Sequence, residues 1–264
     1  MNLKLENKRV LVSGSTSGIG AGIARTFAAE GATVVINGRR AQAAQQVATS
    51  IHEAGGKAII ALGDLATDEG ADSVLQKIAS ELGGVDILVN NAAGGGHQNS
   101  LETPVEQWTA SYNSNVLSMV RLIQRVLPAM KEQRWGRIIN ISSAAAAKPA
   151  PGMEVYTATK AAVNNLTVSL AQGMDNDDVT INTVSPGVIF TPATGEYFIE
   201  NGLAADMDEA RAAMNEMAGG DLPFVRAGEV DEIANVVVFL ASPLASYIHG
   251  ANVRVDGGYV PMVN

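Results

Sequence analysis

A tyrosine and a lysine four residues apart form a pair with acid–base potential. Tyr156 and Lys160 would lie one turn apart on the same face if their segment is helical. A free phenol has a pKa of about 10, and we expect the lysine ammonium to lower that pKa because a nearby positive charge favours the phenolate. Ser143, thirteen residues before the tyrosine, has a hydroxyl that donates and accepts hydrogen bonds. The three side chains could bind a carbonyl or hydroxyl oxygen during proton transfer, although Tyr-x-x-x-Lys alone more often marks an exposed helix pair.

The composition limits the class of protein and its partners. The chain has 264 residues, 47% of them hydrophobic and 27 of them glycine, and we expect one α/β domain spanning residues 1–264. Its net charge of −9, without a basic tract, argues against a nucleic-acid partner. It has no cysteine and no histidine pair with ligand spacing, so we expect no disulfide and no metal site. We recognise no signal peptide and no membrane-length apolar run, and we therefore expect a cytoplasmic protein without membrane contact.

Short β-branched runs alternate with longer alanine-rich amphipathic stretches. This alternation predicts a single-domain, doubly wound (Rossmann) parallel sheet of about seven strands with helices on both faces. The predicted strands are Val10–Ser13, Thr33–Ile36, Ala58–Leu62, Ile87–Asn90, Arg137–Ile141, Thr180–Val184 and Asn252–Val255. The predicted helices are Gly18–Glu30, Gln42–Ala54, Asp68–Leu82, Val105–Lys131, Tyr156–Gln172 and Val230–Ala241. Because such sheets bind ligands at the carboxyl ends of their strands, the loops there should carry functional residues.

A glycine-rich turn follows the first predicted strand and opens the first predicted helix. Gly14, Gly18 and Gly20 would let the backbone approach a pyrophosphate, whose charge the helix N-terminus attracts. The spacing is Gly-x-x-x-Gly-x-Gly rather than the commoner Gly-x-Gly-x-x-Gly. Such a turn can also be purely structural, but its position favours phosphate binding and hence a dinucleotide.

The loop after the second predicted strand contains two arginines and no acid. Folds that bind NAD usually have an acid here for the ribose hydroxyls, whereas a basic residue suits the 2′-phosphate of NADP. Gly38 takes the place of that acid, and Arg39 and Arg40 follow it. The sequence therefore predicts that NADP(H) is favoured over NAD(H), unless the arginines are only a solvated pair.

The third and fourth predicted strands also end in polar loops. Asp64 and Leu65 follow the third strand, and Asn90-Asn91-Ala92-Ala93-Gly94 follows the fourth. Both loops belong to the expected ligand side of the sheet. Asp64 is equally suited to cap the next helix near Thr67.

Six motifs in a fixed order make the chain similar to a known family. The chain resembles the short-chain dehydrogenase/reductases from Lys8 to Tyr259, and within them the 3-oxoacyl-thioester reductase branch. The motifs are Ser-Gly-Ser-Thr-Ser-Gly-Ile-Gly at 13–20, Asn-Asn-Ala-Ala at 90–93, Ile-Ser-Ser at 141–143, Tyr-Thr-Ala-Thr-Lys at 156–160, Ser-Pro-Gly-Val-Ile-Phe-Thr at 185–191 and Asp-Gly-Gly-Tyr at 256–259. Ser13 replaces a usual threonine and Ala93 a usual glycine, and neither change removes a group that catalysis requires.

The resemblance implies roles for four catalytic residues. Tyr156 matches the acid–base tyrosine, and Lys160 matches the lysine that lowers its pKa and binds the nicotinamide ribose. Ser143, rather than Ser142, matches the substrate-orienting serine, because the family places that serine thirteen residues before the tyrosine. Asn115 matches the asparagine that anchors a water in the proton relay to the lysine.

The resemblance also implies a set of cofactor contacts, which Tyr156 and Lys160 complete. The residues expected at the pyrophosphate are Gly14, Ser15, Ser17, Gly18, Ile19 and Gly20. Those expected at the adenine and its ribose are Asp64, Leu65 and Asn91, with Arg39 and Arg40 at the 2′-phosphate. Those expected near the nicotinamide are Pro186, Gly187, Ile189 and Thr191.

The stretch at about 192–226 is predicted to be irregular or short-helical and corresponds to the family's substrate lid. Its apolar residues predicted to be exposed are Tyr197, Phe198, Ile199, Met207, Met214, Met217, Leu222 and Phe224. Methionine-rich surfaces repack easily, as a lid must, although helices packed on the body would account for some of these side chains. Gly94-Gly95-Gly96-His97-Gln98 would form the opposite wall, where His97 better suits the surface than a substrate contact.

Together these features predict an NADP(H)-dependent oxidoreductase that interconverts a ketone or 3-oxoacyl group and a secondary alcohol. The expected partners are a small carbonyl or alcohol substrate and, from the resemblance, further copies of the chain in a homotetramer. Val105–Lys131 and Tyr156–Gln172 would form the main dimer, and the tail Gly257–Met262 a second interface. One alternative is a nicotinamide-binding regulatory or scaffold protein, against which the intact catalytic set argues. A sugar epimerase or dehydratase would need a further substrate domain for which this chain has no room.

Overall fold

A computed structural model describes residues 2–94, 102–174, 178–219 and 223–263. The strands in these residues are β1 Arg9–Val12, β2 Thr33–Gly38, β3 Lys57–Leu62, β4 Ile87–Asn90, β5 Gly136–Ile141, β6 Val179–Pro186, β7 Ile189–Phe190, β8 Gly228–Glu229 and β9 Asn252–Val255. Seven of them form one parallel sheet in the order β3-β2-β1-β4-β5-β6-β9, and β7 and β8 form a separate parallel pair. The predicted doubly wound parallel sheet is confirmed, and the small β7–β8 pair is an addition that no apolar run had indicated.

The described helices are α1 Gly18–Ala29, α2 Ala41–Glu53, α3 Asp68–Leu82, α4 Val105–Tyr112, α5 Ser118–Glu132, α6 Glu154–Gln172, α7 Pro192–Glu200, α8 Met207–Gly219 and α9 Val230–Leu240. Those that cover the two faces of the sheet pack on it through apolar residues at helical spacing. In α3 these residues are Ala71, Val74 and Ile78, spaced three and four residues apart. One core contains side chains of α1, α2 and α9, and the other contains those of α3 and α5. Among the described helices none is long and apolar enough to cross a membrane.

The strand order reverses at β1, whose neighbours are β2 and β4. The chain runs outward from β1 through β2 to β3, then returns to the other side of β1 for β4 and the strands that follow. The loops after β1 and β4 therefore leave the sheet in opposite directions and open a crevice between them. In doubly wound sheets this point, at the carboxyl ends of the strands, is where ligands bind.

The predicted long helix Val105–Lys131 is interrupted, which corrects the prediction of one continuous helix. A π-helical turn at Asn113–Leu117 separates α4 from α5. Asn115 lies in this turn and is only 1% exposed. Such bulges occur mostly as single turns inside longer helices and often at functional sites. An amphipathic pattern cannot reveal one, because the apolar residues on either side keep a helical spacing.

The segment between β7 and β8 contains two helices, α7 and α8, which is the short-helical alternative of the prediction. Both pack on a small apolar cluster that includes Phe190, Phe198 and Met214. Phe198 and Met214 are therefore buried, and their predicted exposure is wrong. Ile199 is half-buried. The predicted exposure is confirmed for Tyr197, Met207, Met217 and Phe224. Leu222 lies outside the described residues.

Candidate active site

Strand β5 and helix α6 bring the three predicted catalytic side chains together. Ser143 follows β5 and begins a short 3₁₀ turn, where its hydroxyl accepts the N–H of Ala145 at 3.1 Å. The hydroxyl of Ser143 also lies close enough to the phenol of Tyr156 to act on its pKa. Lys160, one turn further along α6, is 2% exposed and donates its ammonium proton to the carbonyl of Ile141 at 2.9 Å. The structure thus brings Ser143 and Tyr156 together, with the buried Lys160 one turn further along the same helix.

The titration of the tyrosine–lysine pair differs from the expectation. Burial raises the pKa of Tyr156 above its ordinary value, and the hydroxyl of Ser143 opposes that rise only in part. Burial also lowers the pKa of Lys160 to about 8. The prediction that Lys160 lowers the tyrosine pKa is wrong in this structure. The ammonium nitrogen lies 5.6 Å from the ring centroid and is bonded to a main-chain carbonyl, so the desolvation of each group outweighs their attraction.

Asn115 connects the loop after β4 with helix α6. Its side-chain oxygen accepts the N–H of Gly94 at 2.7 Å, and its amide donates to the carbonyl of Gly94 at 2.9 Å. The same amide donates to the hydroxyl of Thr159 at 3.0 Å. That hydroxyl in turn donates to the carbonyl of Tyr156 at 2.7 Å. Sequence reasoning missed Thr159, since a threonine inside a helix gives no signal of its own.

Glycines shape the turn after β1 as the motif predicts. Gly14 and Gly18 have φ angles of +62° and +52°, a region that residues with a side chain rarely adopt. A Cβ at Gly20 would lie 2.4 Å from the side-chain nitrogen of Asn91 and 2.5 Å from the carbonyl oxygen of Gly14. No side-chain hydrogen bond caps the N-terminus of α1 at Ser17 within the described chain, and the first turn contains no acid. The free amides of this first turn can therefore bind an anion.

A cleft of about 1070 Å³ extends from this turn over the carboxyl ends of β2, β3 and β4. The predicted cofactor residues that line it are Gly14, Ser17, Ile19, Gly20, Arg39, Arg40, Asp64, Leu65, Asn91 and Thr191. Residues that line it but were not predicted include Thr16, Asn37 and Ser114. At its far end Arg39 approaches Asp64, with 3.9 Å between a guanidinium nitrogen and a carboxylate oxygen, and both side chains are exposed. Asp64 does not cap α3, because Thr67 accepts the N–H of Gly70 there.

Two predicted cofactor residues point their side chains into the protein. Ser15 is fully buried, and its hydroxyl accepts the N–H of Asn37 at 3.0 Å. The side-chain amide of Asn91 donates to the carbonyls of Ser13 and Gly14 at 3.0 and 3.1 Å. Both side chains therefore fasten the glycine-rich turn to its neighbours, and Asn91 does not present its amide to the cleft as a ribose contact would.

The loop after β6 divides between the cleft and a second cavity. Gly187 packs against the C-terminal turn, where a Cβ would lie 2.7 Å from the Cα of Asp256. Ile189 lines a separate cavity of about 340 Å³ together with Arg226 and Asp256. Pro186 is buried within β6 and does not line the main cleft. Gly18, in the turn after β1, is also absent from the lining of that cleft. The wall predicted at Gly95, Gly96, His97 and Gln98 lies outside the described residues.

The C-terminal turn meets the loop that carries Ser143. Lys148 lies over the ring of Tyr259, with its ammonium 3.8 Å from the ring centroid. Asp256 shapes the turn by accepting the N–H groups of Gly258 and Val260. The contact between Lys148 and Tyr259 joins the C-terminal turn to the loop that follows Ser143, and the residue types alone gave no sign of this pairing.

Comparison with known proteins assigns this site to a family. The family profile described as Enoyl-(Acyl carrier protein) reductase matches residues 14–260. The 3-oxoacyl-[acyl-carrier-protein] reductase FabG of Aquifex aeolicus (strain VF5) is 36% identical over 259 residues, which cover 98% of this chain and 99% of FabG. The 7alpha-hydroxysteroid dehydrogenase of Escherichia coli (strain K12) is 33% identical over 263 residues, covering 100% and 98%.

Solved structures give the same result. L-sorbose reductase from Gluconobacter frateurii, complexed with NADPH and L-sorbose, superposes with a TM-score of 0.94 at 33% identity, and all of both chains is covered. A 7 alpha-hydroxysteroid dehydrogenase complexed with NADH and 7-oxo glycochenodeoxycholic acid superposes with a TM-score of 0.87 at 33% identity, covering 100% of this chain and 98% of the other. The chain belongs to the short-chain dehydrogenase/reductase family, as its motifs indicated. It is an oxidoreductase of the class that acts on CH–OH groups.

We expect the buried ammonium of Lys160 to titrate near pH 8 instead of its ordinary 10.5, because burial disfavours the charged form. Since the folded pKa is the lower one, the free energy of unfolding should rise as pH increases from about 8 to about 10.5. NMR of protein labelled at the lysine Nζ atoms would measure this pKa, and the signal missing from Lys160→Arg would identify the residue. A Lys160 signal that titrates above pH 10 would contradict the expectation.

Proposed function

We propose that the chain is an NADP(H)-dependent oxidoreductase that interconverts a ketone, or a 3-oxoacyl group, and a secondary alcohol. The observation that carries the proposal is that the hydroxyl of Ser143 lies close enough to the phenol of Tyr156 to act on its pKa, with Lys160 buried one turn further along the helix. Through Thr159, Asn115 and Gly94 this group is connected to the rim of the large cleft. An acid–base pair next to a dinucleotide-sized cleft is the arrangement that carbonyl reduction requires.

The residues of the cleft fit a nicotinamide dinucleotide. The glycine-rich turn is a cradle that a Cβ at Gly20 would fill, and the uncapped N-terminus of α1 attracts a pyrophosphate. Arg39 at the other end has a planar set of donors suited to a 2′-phosphate. The sorbose reductase was solved with NADPH and the hydroxysteroid dehydrogenase with NADH, so the relatives support either cofactor. Our preference for NADP(H) therefore rests on Arg39, with Arg40 in a supporting role.

A bound cofactor supplies the hydride in reduction and accepts it in oxidation. In reduction, the hydroxyls of Ser143 and Tyr156 would donate hydrogen bonds to the substrate carbonyl oxygen. As negative charge develops on that oxygen, Tyr156 transfers its phenolic proton to it, so that the ketone gains one hydride and one proton. The raised pKa of Tyr156 keeps the phenol protonated before the reaction. In oxidation the same oxygen of Tyr156 would accept the proton of the alcohol.

Lys160 and Asn115 act around this pair. The ammonium of Lys160, which donates to the carbonyl of Ile141, would bind the nicotinamide ribose as the family resemblance implies, and its lowered pKa makes proton release easier. Both polar atoms of the Asn115 side chain are occupied by Gly94 and Thr159. We therefore assign the side chain of Asn115 a positioning role, which keeps α6 in register with the cleft and is compatible with a water bound nearby.

The stretch at 192–226 would serve as the substrate lid. Its exposed apolar side chains Tyr197, Met217 and Phe224 suit contact with an apolar substrate. A nicotinamide-binding regulatory protein remains the second candidate, since the cleft alone would serve it. Such a protein would need no general acid, however, and would bind NADPH without oxidising it in the presence of ketones, diketones, steroids or acyl thioesters.

We also propose that the protein is a homotetramer in the cytoplasm. Helices α4 to α6 expose large apolar side chains that a partner could cover, namely Val105, Tyr112, Leu117 and Val168. Met262 and Val263 at the end of the described chain are also exposed and could form the second interface. The absence of cysteine in the sequence supports this compartment, because it suits a reducing environment.

Replacing Tyr156 by Phe should lower kcat by about 100-fold or more, because the ring remains while the proton donor is lost. The Kd for NADPH, measured by fluorescence titration, should change little. Tyr247→Phe is the matched control, since the side chain of Tyr247 is fully exposed and does not line the cleft. Near-normal turnover in the Tyr156 variant would show that another group donates the proton.

Replacing Arg39 by Leu should lower kcat/KM for NADPH by about 10- to 100-fold, since a hydrogen bond to a charged group contributes about 1.5–3 kcal/mol. The value for NADH should stay nearly the same, and the loss should appear mainly in KM. Arg25→Leu removes a similar charge from the exposed face of α1 and serves as the control. A wild-type protein that uses NADH as well as NADPH would reject the assigned preference.

Multi-angle light scattering should give a mass about four times the 27.4 kDa of the chain. Val168→Asp, which places a charge on the exposed face of α6, should reduce that mass to half or less. Leu203→Asp introduces the same charge at another exposed apolar position and should leave the mass unchanged. A mass of one chain for the wild type at micromolar concentration would refute the assembly.

A further inference from the structure

Position 38, at the end of β2, has no space for a side chain. A Cβ on Gly38 would lie 2.5 Å from the Cγ2 atom of Thr16, 3.2 Å from its Oγ1 atom and 3.4 Å from its Cβ atom. Its backbone conformation is not of the kind that only glycine adopts. The restriction at this position is therefore steric and comes from one neighbouring side chain.

Thr16 cannot easily withdraw from this contact. Its side chain is β-branched, so rotation about χ1 exchanges its methyl, hydroxyl and hydrogen but does not remove it. Its own backbone belongs to the turn that is fastened to β2 next to Gly38. Ser15 donates its N–H to the carbonyl of Asn37 at 2.9 Å and accepts the N–H of Asn37 at 3.0 Å, so the two segments cannot separate without breaking buried hydrogen bonds.

Gly38 also occupies the place where an acid would bind the ribose hydroxyls of NAD. We propose that Thr16 determines the cofactor specificity of this enzyme, because its side chain leaves no room for a Cβ at position 38. The chain then cannot offer a carboxylate to the ribose hydroxyls, and discrimination depends on the arginines that follow, chiefly Arg39. This inference rests on the proposed function, since it concerns the cofactor that the cleft binds.

The charges around Arg39 agree with this division of roles. An acid at position 38 would both repel a 2′-phosphate and compete for the neighbouring guanidinium. The carboxylate that does approach Arg39 in the described chain is Asp64, at 3.9 Å, and the two side chains are 77% and 49% exposed. An ion pair that is so exposed to solvent contributes little binding energy, and Arg39 therefore stays available to a phosphate. Consequently, Gly38→Asp should not by itself give an enzyme that prefers NADH.

The steric part can be tested without any cofactor. At an ordinary backbone conformation Gly→Ala should be neutral or stabilising, whereas overpacking destabilises. We expect Gly38→Ala to lower Tm by about 3–10 °C, and we expect Thr16→Ser/Gly38→Ala and Thr16→Ala/Gly38→Ala to recover most of that loss. Gly173→Ala is the control, since its Cβ would meet its nearest neighbour at an ordinary 3.6 Å. An unchanged or higher Tm for Gly38→Ala would overturn the proposal.

The specificity part is tested by binding. Fluorescence titration should give the Kd of NADPH and of NADH for the wild type, Gly38→Asp, Thr16→Ala, and Thr16→Ala/Gly38→Asp. We expect Gly38→Asp alone to weaken both cofactors, and the double variant to shift the ratio of the two Kd values towards NADH by about 10-fold or more relative to Thr16→Ala. A full reversal in Gly38→Asp alone would overturn the inference. A wild type that binds neither cofactor would instead refute the proposed function, while the unfolding series would still decide whether Thr16 excludes side chains from position 38.

Discussion

The candidate site depends on the close approach of two main-chain segments, the turn after β1 and the loop after β4. A Cβ at Gly14 would lie 2.8 Å from the Cα of Ala92, so the backbones themselves are in contact. The hydroxyl of Ser13 accepts the N–H groups of Asn91 and Ala92, both at 2.9 Å. Because the sheet reverses its order between β1 and β4, this contact forms the floor of the cleft. Ser13 replaces the family's usual threonine without loss, since the hydroxyl alone makes these bonds.

Burial of the side chains near the floor of the cleft then determines the properties of Tyr156 and Lys160. The loop after β4 continues to Gly94, which Asn115 binds through both of its backbone polar groups. Asn115 can do so because the π-helical turn brings its side chain inward, where it also reaches Thr159 on α6. Helix α6 is thereby fixed with Lys160 in a dry environment that lowers its pKa and with Tyr156 in one that raises its pKa. The raised pKa of Tyr156 favours the protonated phenol and the lowered pKa of Lys160 favours loss of its proton, as the proposed carbonyl reduction would require.

The sequence was sufficient to predict the features that depend on the spacing of residue types. It was insufficient to predict the orientation of individual side chains and their burial. Apolar runs and glycine positions predicted the parallel sheet and the turn at Gly14 correctly, because period and backbone freedom are properties of residue types. The inward orientation of Ser15 and Asn91 could not be predicted, since both belong to a motif whose members point to either side of one turn. The pKa of Tyr156 was predicted with the wrong sign for a related reason. Spacing on a helix gives the nearness of Lys160 but not the extent to which both groups are removed from water.

A protein with a net charge of −9 is proposed to bind a cofactor that is itself strongly anionic, and the arrangement of charge explains why these are compatible. At physiological ionic strength exposed charges are screened beyond about 8 Å, so the overall charge acts only weakly on a ligand within the cleft. Within the cleft, the phosphates would interact with the amide groups at the start of α1, whose first turn has no acid, and with the guanidinium groups of Arg39 and Arg40. Asp64 opposes them, but from an exposed position where its field is reduced. Affinity for the cofactor is therefore a property of a few aligned groups at the carboxyl ends of β1 and β2, and the surplus of acids elsewhere can serve solubility without weakening it.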